Sequence, residues 1–372
     1  MAAFGARARL AVLVSFSGYG GVERMVVNLL QGFVAHGLTV DLLTIRARSA
    51  HLQNLPPAVR IVDLGVSHST LVLPALVRYL KRERPLALLA AKDRAIRAAA
   101  LARRLVGTDM HLVGRLGTHL SAALQGKGLL QRWLRYQPMR WIYPLVDQLI
   151  AVSQGVAEDI LAITSLPPER VTVVRNPVVT PRLLAMAREN VPHPWFNDAG
   201  APVILGAGRL TRQKDFATLI RAFAELRRHS TARLVILGEG RQRPALQALA
   251  ARLSVANAVD LPGFVENPYA YMAKAAVFAL SSAWEGSPNV LTEALAVGTP
   301  VVATDCPSGP REILNQGRYG PLVPVGDVTG LAQAILDVLN NPPEPSFLQA
   351  AVEDYSLENS TCGYLKVLGF DH

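Results

Sequence analysis

The chain holds 372 residues, half of them hydrophobic and 18% charged, with two cysteines and a formal net charge of +10. That length exceeds what one hydrophobic core supports, and the balance of apolar to charged residues excludes an intrinsically disordered chain. Charge interrupts every apolar run before the roughly 18 residues a membrane span requires, and Cys306 with Cys362 are too few for a disulfide scaffold or a four-ligand zinc site.

In chain order, Arg9 to Ser15 reads as a buried strand, Val22 to His36 as an amphipathic helix stopped by Gly37, and Leu38 to Ile45 as a second strand, together a βαβ unit. The alternation continues with a helix ending near Arg84, a strand at 86–90, a helix at 93–106 and a strand at 111–114. A helical stretch over 128–143 precedes a strand at 148–152, a helix capped by Ser153 and a strand at 171–174. Asn176-Pro177 breaks the pattern, and five prolines between 177 and 202 mark a linker with a short helix inside it. A second series follows, with strands predicted at 203–205, 233–237, 259–261, 277–280, 301–303 and 321–323 and helices between them. The expected class is α/β, with two Rossmann-like doubly wound domains facing a cleft, at 1–176 and 202–344, a linker at 177–201 and a tail at 345–372 able to pack back on the first domain. Ligands of such sheets bind outside the carboxyl ends of the strands.

Charge is spread unevenly. Residues 1–195 carry 24 Lys+Arg against 11 Asp+Glu, whereas 196–372 carry 14 against 17. The positive excess of the first half suits an anionic partner, whether a phosphate-bearing substrate, an anionic membrane face or nucleic acid, and it suits equally a solvated arginine-rich surface.

Several motifs are missing from the chain: a Walker loop, His-Glu-x-x-His and Gly-x-Ser-x-Gly. The loop Ser17 to Gly21 has Glu23 where a dinucleotide fingerprint needs its third glycine. No two aspartates lie two positions apart, so no Asp-x-Asp pair stands ready to hold a divalent cation on a diphosphate. Phosphate charge must then be met by side chains or helix ends.

The densest signal runs from Ser281 to Pro300, where Ser287 is expected as an N-cap, Pro288 at the first helical position and Gly298 as the stop. A helix start just after a strand offers N–H groups and a dipole to phosphate without a metal. Glu285 and Glu293 flank it, which suits a ligand whose phosphates sit between two polyhydroxylated rings; a plain capped helix is the alternative. A second loop, Gly206 to Phe216, presents Arg209 as a planar fork and Lys214 as a compact charge, or is simply a basic loop capped by Asp215.

Gly208-Arg209-Leu210 with Gln213-Lys214-Asp215-Phe216, Gly238-Glu239-Gly240, and Glu285 and Glu293 with seven residues between them ahead of Gly298-Thr299-Pro300-Val301-Val302 together resemble glycosyltransferase family 4. The resemblance runs from Gly18–Gly21 to Glu312 and implies a retaining enzyme of the GT-B fold. On it, Arg209 and Lys214 hold the donor diphosphate, Glu293 the ribose hydroxyls and Glu285 hydroxyls of the transferred sugar. Backbone N–H groups of Asn289, Val290 and Leu291, following Ser287, meet the phosphates. Main chain at Phe264 and Val265 pairs with the base, Gly238 joins the donor-binding set, and Gly20 and Gly21 bring the first domain's loop close. His119 stands where relatives carry an active-site histidine, unless it is a surface or capping residue, and Arg115 could fill the same space. Glu239, between two glycines, reads as turn geometry.

The stretch Lys127 to Tyr143 mixes basic residues with Trp133 and Trp141, and it reads either as a contact with an anionic membrane or as a packed core helix. The resulting expectation is a cytoplasmic enzyme, peripheral on the inner face of the membrane. It would move a hexosyl or N-acetylhexosaminyl group from a nucleotide diphosphate sugar, UDP-linked, to a glycan or lipid-linked acceptor, with neither metal nor cofactor and without nucleic acid as a partner. An epimerase or phosphorylase on the same fold and a basic nucleic-acid binder are the rivals; the latter leaves the Glu285 and Glu293 arrangement without purpose.

Overall fold

The structure, a computed structural model, describes residues 9–16, 21–47, 50–66, 72–197 and 200–370. The first half runs β1 (Arg9–Phe16), α1 (Gly21–Ala35), β2 (Thr39–Ala47), β3 (Val59–Asp63), α2 (Val72–Glu83), β4 (Ala87–Ala91), α3 (Asp93–Val106), β5 (His111–Leu116), α4 (Leu120–Ala123), α5 (Leu129–Ile142), β6 (Gln148–Ala151), α6 (Gln154–Thr164) and β7 (Val171–Val173). The second runs α7 (Pro181–Met186), β8 (Val203–Ala207), α8 (Phe216–Leu226), β9 (Arg233–Leu237), α9 (Arg243–Arg252), β10 (Val259–Gly263), α10 (Pro268–Lys274), β11 (Val277–Leu280), α11 (Asn289–Ala296), β12 (Val301–Thr304), α12 (Pro310–Ile313), β13 (Leu322–Val323), α13 (Val328–Asn340), α14 (Pro345–Gln349) and α15 (Leu357–Leu368). Two compact units result: Met1–Pro177 with Leu357–His372, and Val178–Ser356.

Unit 1 is a seven-stranded parallel sheet in the order β3-β2-β1-β4-β5-β6-β7, and unit 2 a six-stranded parallel sheet in the order β10-β9-β8-β11-β12-β13. Alternation along the strands feeds two cores per sheet. Leu10, Val12 and Val14 of β1 pack on one face with α1, while Ala11 and Leu13 pack on the other with α2 and α3. In unit 2, Ile204 of β8 joins the core under α8 and α13, and Val203, Leu205 and Ala207 join the one under α11. Strand order reverses across β1/β4 in unit 1 and across β8/β11 in unit 2, the switch points where doubly wound sheets open a crevice.

Three expectations are corrected. The short edge strand β3 escapes the hydrophobic pattern because only Val59 of its five residues is buried. The proline-rich stretch read as a linker is packed structure of unit 2: Val178, Leu183 and Val191 are buried in its core, and Thr180 caps α7. The tail divides, since Leu348, Val352 and Tyr355 stay in the core of unit 2, and only α15 belongs to unit 1, where Tyr364, Leu365 and Leu368 pack with α1. Among the described residues, no helix is long and apolar enough to cross a membrane.

Candidate active site

The switch point of unit 2 is formed by the loops after β8 and β11, and it is there that the sequence places Arg209, Lys214 and Glu285. After Ala207 the chain passes so close to the end of β9 that a Cβ on Gly238, whose φ is +125°, would lie 2.1 Å from the Gly208 carbonyl oxygen. Gly208 N–H donates to Leu237 and Gly238 N–H to Gly263, so the ladder continues past the strands and fixes these loops as one surface. Asp215 then turns the chain into α8, with φ +43° and its carboxylate accepting from Thr218.

Lys214 does not stand free in solvent. Its Nζ lies 2.6 Å from Glu285 Oε1, and both side chains are largely buried. Ser282 Oγ donates to the same oxygen at 2.7 Å, and Gln213 Nε2 donates to Glu285 Oε2 at 3.3 Å and to the Trp284 carbonyl at 3.1 Å. Ser281 Oγ donates to the Lys214 carbonyl, and Ala283 N–H to that of Gln213, stitching the two loops together. Gln213 and Ser282 are thus the residues the motif reading undervalued; Gln213 lay inside the quoted motif, and Ser282 is marked only by standing three residues before Glu285. Arg209 is exposed, and its side chain makes no hydrogen bond or ion pair among the described residues.

Ser287 is not the N-cap of α11. Pro288 occupies that position with ψ 97°, and Ser287 Oγ is buried without a hydrogen-bond partner among the described residues. The loop after β12 packs closely on this turn: Ser308 Oγ donates to the Gly286 carbonyl, and a Cβ on Gly309 would lie 2.6 Å from Pro288 Cδ. Asn289 and Val290 open α11 half-buried, Leu291 points into the core, and Glu293 is buried on the next turn. Phe264 is exposed just past β10, with Val265 half-buried beside it. Glu239 pairs with Arg243 at 2.7 Å and so serves the turn.

Cys306 is buried near this carboxylate, and burial, reinforced by the charge of Glu285 and opposed by Lys214, pushes its thiol up to about 12. Because the thiolate is the nucleophile, iodoacetamide at pH 8 should alkylate exposed Cys362 and spare Cys306 until the protein is unfolded. Equal modification of both cysteines in the native protein, read by peptide mass spectrometry, would contradict this placement.

In unit 1, His119 is the N-cap of α4: its Nδ1 accepts from Ala122 N–H at 3.3 Å and lies 3.5 Å from Asp159 Oδ2. The same carboxylate accepts from Leu120 N–H at 2.6 Å, so the ring is held in one orientation with 21% of its side chain exposed. Arg115 is buried and donates to Asn176 Oδ1 at 2.7 Å. Gly21 begins α1, and Gly20 lies outside the described residues.

Comparison with known proteins matches residues 19–182 to the family model for Glycosyltransferase Family 4 and residues 201–341 to that for Glycosyl transferases group 1. A Campylobacter jejuni N-acetylgalactosamine-N,N'-diacetylbacillosaminyl-diphospho-undecaprenol 4-alpha-N-acetylgalactosaminyltransferase is 37% identical over 202 residues, about half of each chain (54% of this one, 53% of the other). The lipopolysaccharide core biosynthesis glycosyltransferase LpsE of Rhizobium meliloti is 29% identical over 94% of this chain and 96% of its own. The fold is shared with Anabaena HepE in complex with UDP and glucose, at TM-score 0.79 and 18% identity over 97% of this chain and 99% of that one. With both units matched in order and the motif residues at the carboxyl edge of the second sheet, the chain belongs to glycosyltransferase family 4 and carries the two Rossmann-like domains of the GT-B fold.

Proposed function

We propose that the protein is a retaining, metal-independent glycosyltransferase that moves a hexosyl or N-acetylhexosaminyl group from a UDP-linked sugar to a lipid-linked glycan at the inner face of a membrane. The observation that carries the reading is the buried Lys214–Glu285 pair at the switch point of unit 2. A carboxylate held by one cation and two hydrogen bonds is fixed in place, ready to accept from sugar hydroxyls. Arg209, exposed on the same loop, adds a planar fork for the diphosphate; the start of α11, with the Ser287 hydroxyl beside it, adds N–H groups and a favourable dipole. Glu293 is the group for the ribose hydroxyls, main chain at Phe264 and Val265 meets the base, and His119 of unit 1 is the candidate catalytic histidine.

In this mechanism the acceptor attacks on the face the diphosphate leaves, and a leaving phosphate oxygen takes the acceptor proton while Lys214 and Arg209 stabilise the departing charge. The undecaprenol-linked and lipopolysaccharide glycans in the relatives' names support a lipid-linked acceptor, and an exposed apolar face on α5 supports a membrane surface. Thermal shift against UDP, GDP and ADP with their sugars tests the donor: a ligand at 100 times its Kd adds about 2.7 kcal/mol. A response confined to GDP or ADP would overturn the UDP assignment, and an inverted product anomer by NMR would overturn retention. Transfer should persist in EDTA, since the chain has no Asp-x-Asp pair and cationic side chains meet the phosphates. Loss on chelation with recovery in manganese or magnesium would refute that.

A further inference from the structure

We infer that His36, Glu358 and Cys362 of unit 1 form a surface site for a divalent cation of the zinc class, clipping the returning helix α15 to the end of α1. The two helices meet closely: a Cβ on Gly32 would lie 2.0 Å from Thr361 Oγ1. One turn beyond Gly32, just past the last residue of α1, stands His36. Glu358 and Cys362 are four residues apart on α15 and so share the face that looks toward it.

His36 Nε2 lies 3.3 Å from Glu358 Oε1, Cys362 Sγ lies 3.4 Å from that same oxygen, and the three donor atoms all fall within 4.8 Å of one another. Nitrogen, oxygen and sulfur ligands at 2.0–2.3 Å from a tetrahedral zinc are separated by roughly 3.3–3.7 Å, so two edges of such a tetrahedron already have the right length. The third closes by rotation of exposed side chains, and the fourth position is open to water. Imidazole with thiolate selects zinc-class ions over magnesium and calcium. This site is separate from the donor chemistry, since its residues belong to the helices of unit 1.

The test is a cobalt titration of reduced, chelator-treated, full-length protein without a histidine tag. One ion per chain should bind, with tetrahedral ligand-field bands and a thiolate-to-cobalt charge-transfer band that zinc bleaches, and with release of a proton. Cys362→Ser should abolish the charge-transfer band, and His36→Ala should weaken binding by about tenfold or more. Because these side chains are exposed, both variants should melt with the metal-free wild type, while zinc should raise the melting temperature of the wild type alone. An octahedral spectrum without a thiolate band, or a spectrum unchanged in Cys362→Ser, overturns the site.

Discussion

Arg209→Ala should lower turnover by about 100- to 1000-fold at unchanged thermal stability, and Lys214→Ala should lose a similar factor together with stability. The two cations differ in what surrounds them. Arg209 is exposed and its side chain makes no hydrogen bond or ion pair among the described residues, so its removal takes a charge from the departing diphosphate and nothing from the core. Lys214 pairs with a buried carboxylate, and truncating one partner of a buried pair costs about 3–5 kcal/mol, because Glu285 would be left with only Ser282 and Gln213 to hold it. The motif alone does not separate the two variants; the buried pair does. Pairing Lys214→Ala with Glu285→Gln separates the effects: the double variant should regain most of the stability and none of the activity. Turnover within a few-fold of wild type for both Arg209→Ala and Lys214→Ala would remove this loop from the donor site.

The fold was legible wherever burial wrote itself as an apolar run. Strands such as Arg233–Leu237 and Val277–Leu280 lie in the interior of a parallel sheet, covered on both faces, and the sequence marks them without ambiguity. β3 is an edge strand with Ile61 half exposed, so its pattern carries little signal. Proline misled twice, because it reports a local φ and a missing donor rather than the absence of packing. Residues 178–197 are proline-rich yet folded into unit 2, and Pro288 stands at the N-cap of its helix rather than in the first turn. The site was legible as residue types. What sequence could not supply was who holds whom: Lys214 read as a free cation, and only the loop geometry shows it committed to Glu285.

Substituting Leu130, Trp133 and Trp141 together with serine should release the protein from anionic vesicles, with an affinity loss of about 100-fold or more, while the protein stays folded. The alternative of a packed core helix does not hold for α5, because Met139 is its one buried residue, and Leu129, Leu130, Trp133, Leu134 and Trp141 are 84%, 69%, 53%, 57% and 73% exposed. Removing large side chains already in solvent leaves no cavity, so stability should be unaffected. Each such group, when buried in lipid, is worth about 1.5–3 kcal/mol, and aromatic rings favour the headgroup level. Charge cannot be tested as simply. Arg135 is paired with buried Asp93 at 2.8 Å and Arg140 donates to the Ile163 carbonyl at 2.7 Å, so reversing either would damage unit 1 itself. Exposed Lys127 is the cleaner probe, and Lys127→Glu should weaken vesicle binding by roughly the 1 kcal/mol that one basic residue contributes near an anionic surface. Binding should rise with anionic lipid content and fall with salt without vanishing, since the apolar face persists when charge is screened. Sedimentation that is equal for neutral and anionic vesicles would remove the charge contribution, and sedimentation with neither at low salt would return α5 to an ordinary solvated helix. Transfer to a short soluble acceptor should survive the triple substitution, because Lys214, Glu285 and the start of α11 lie in the other unit.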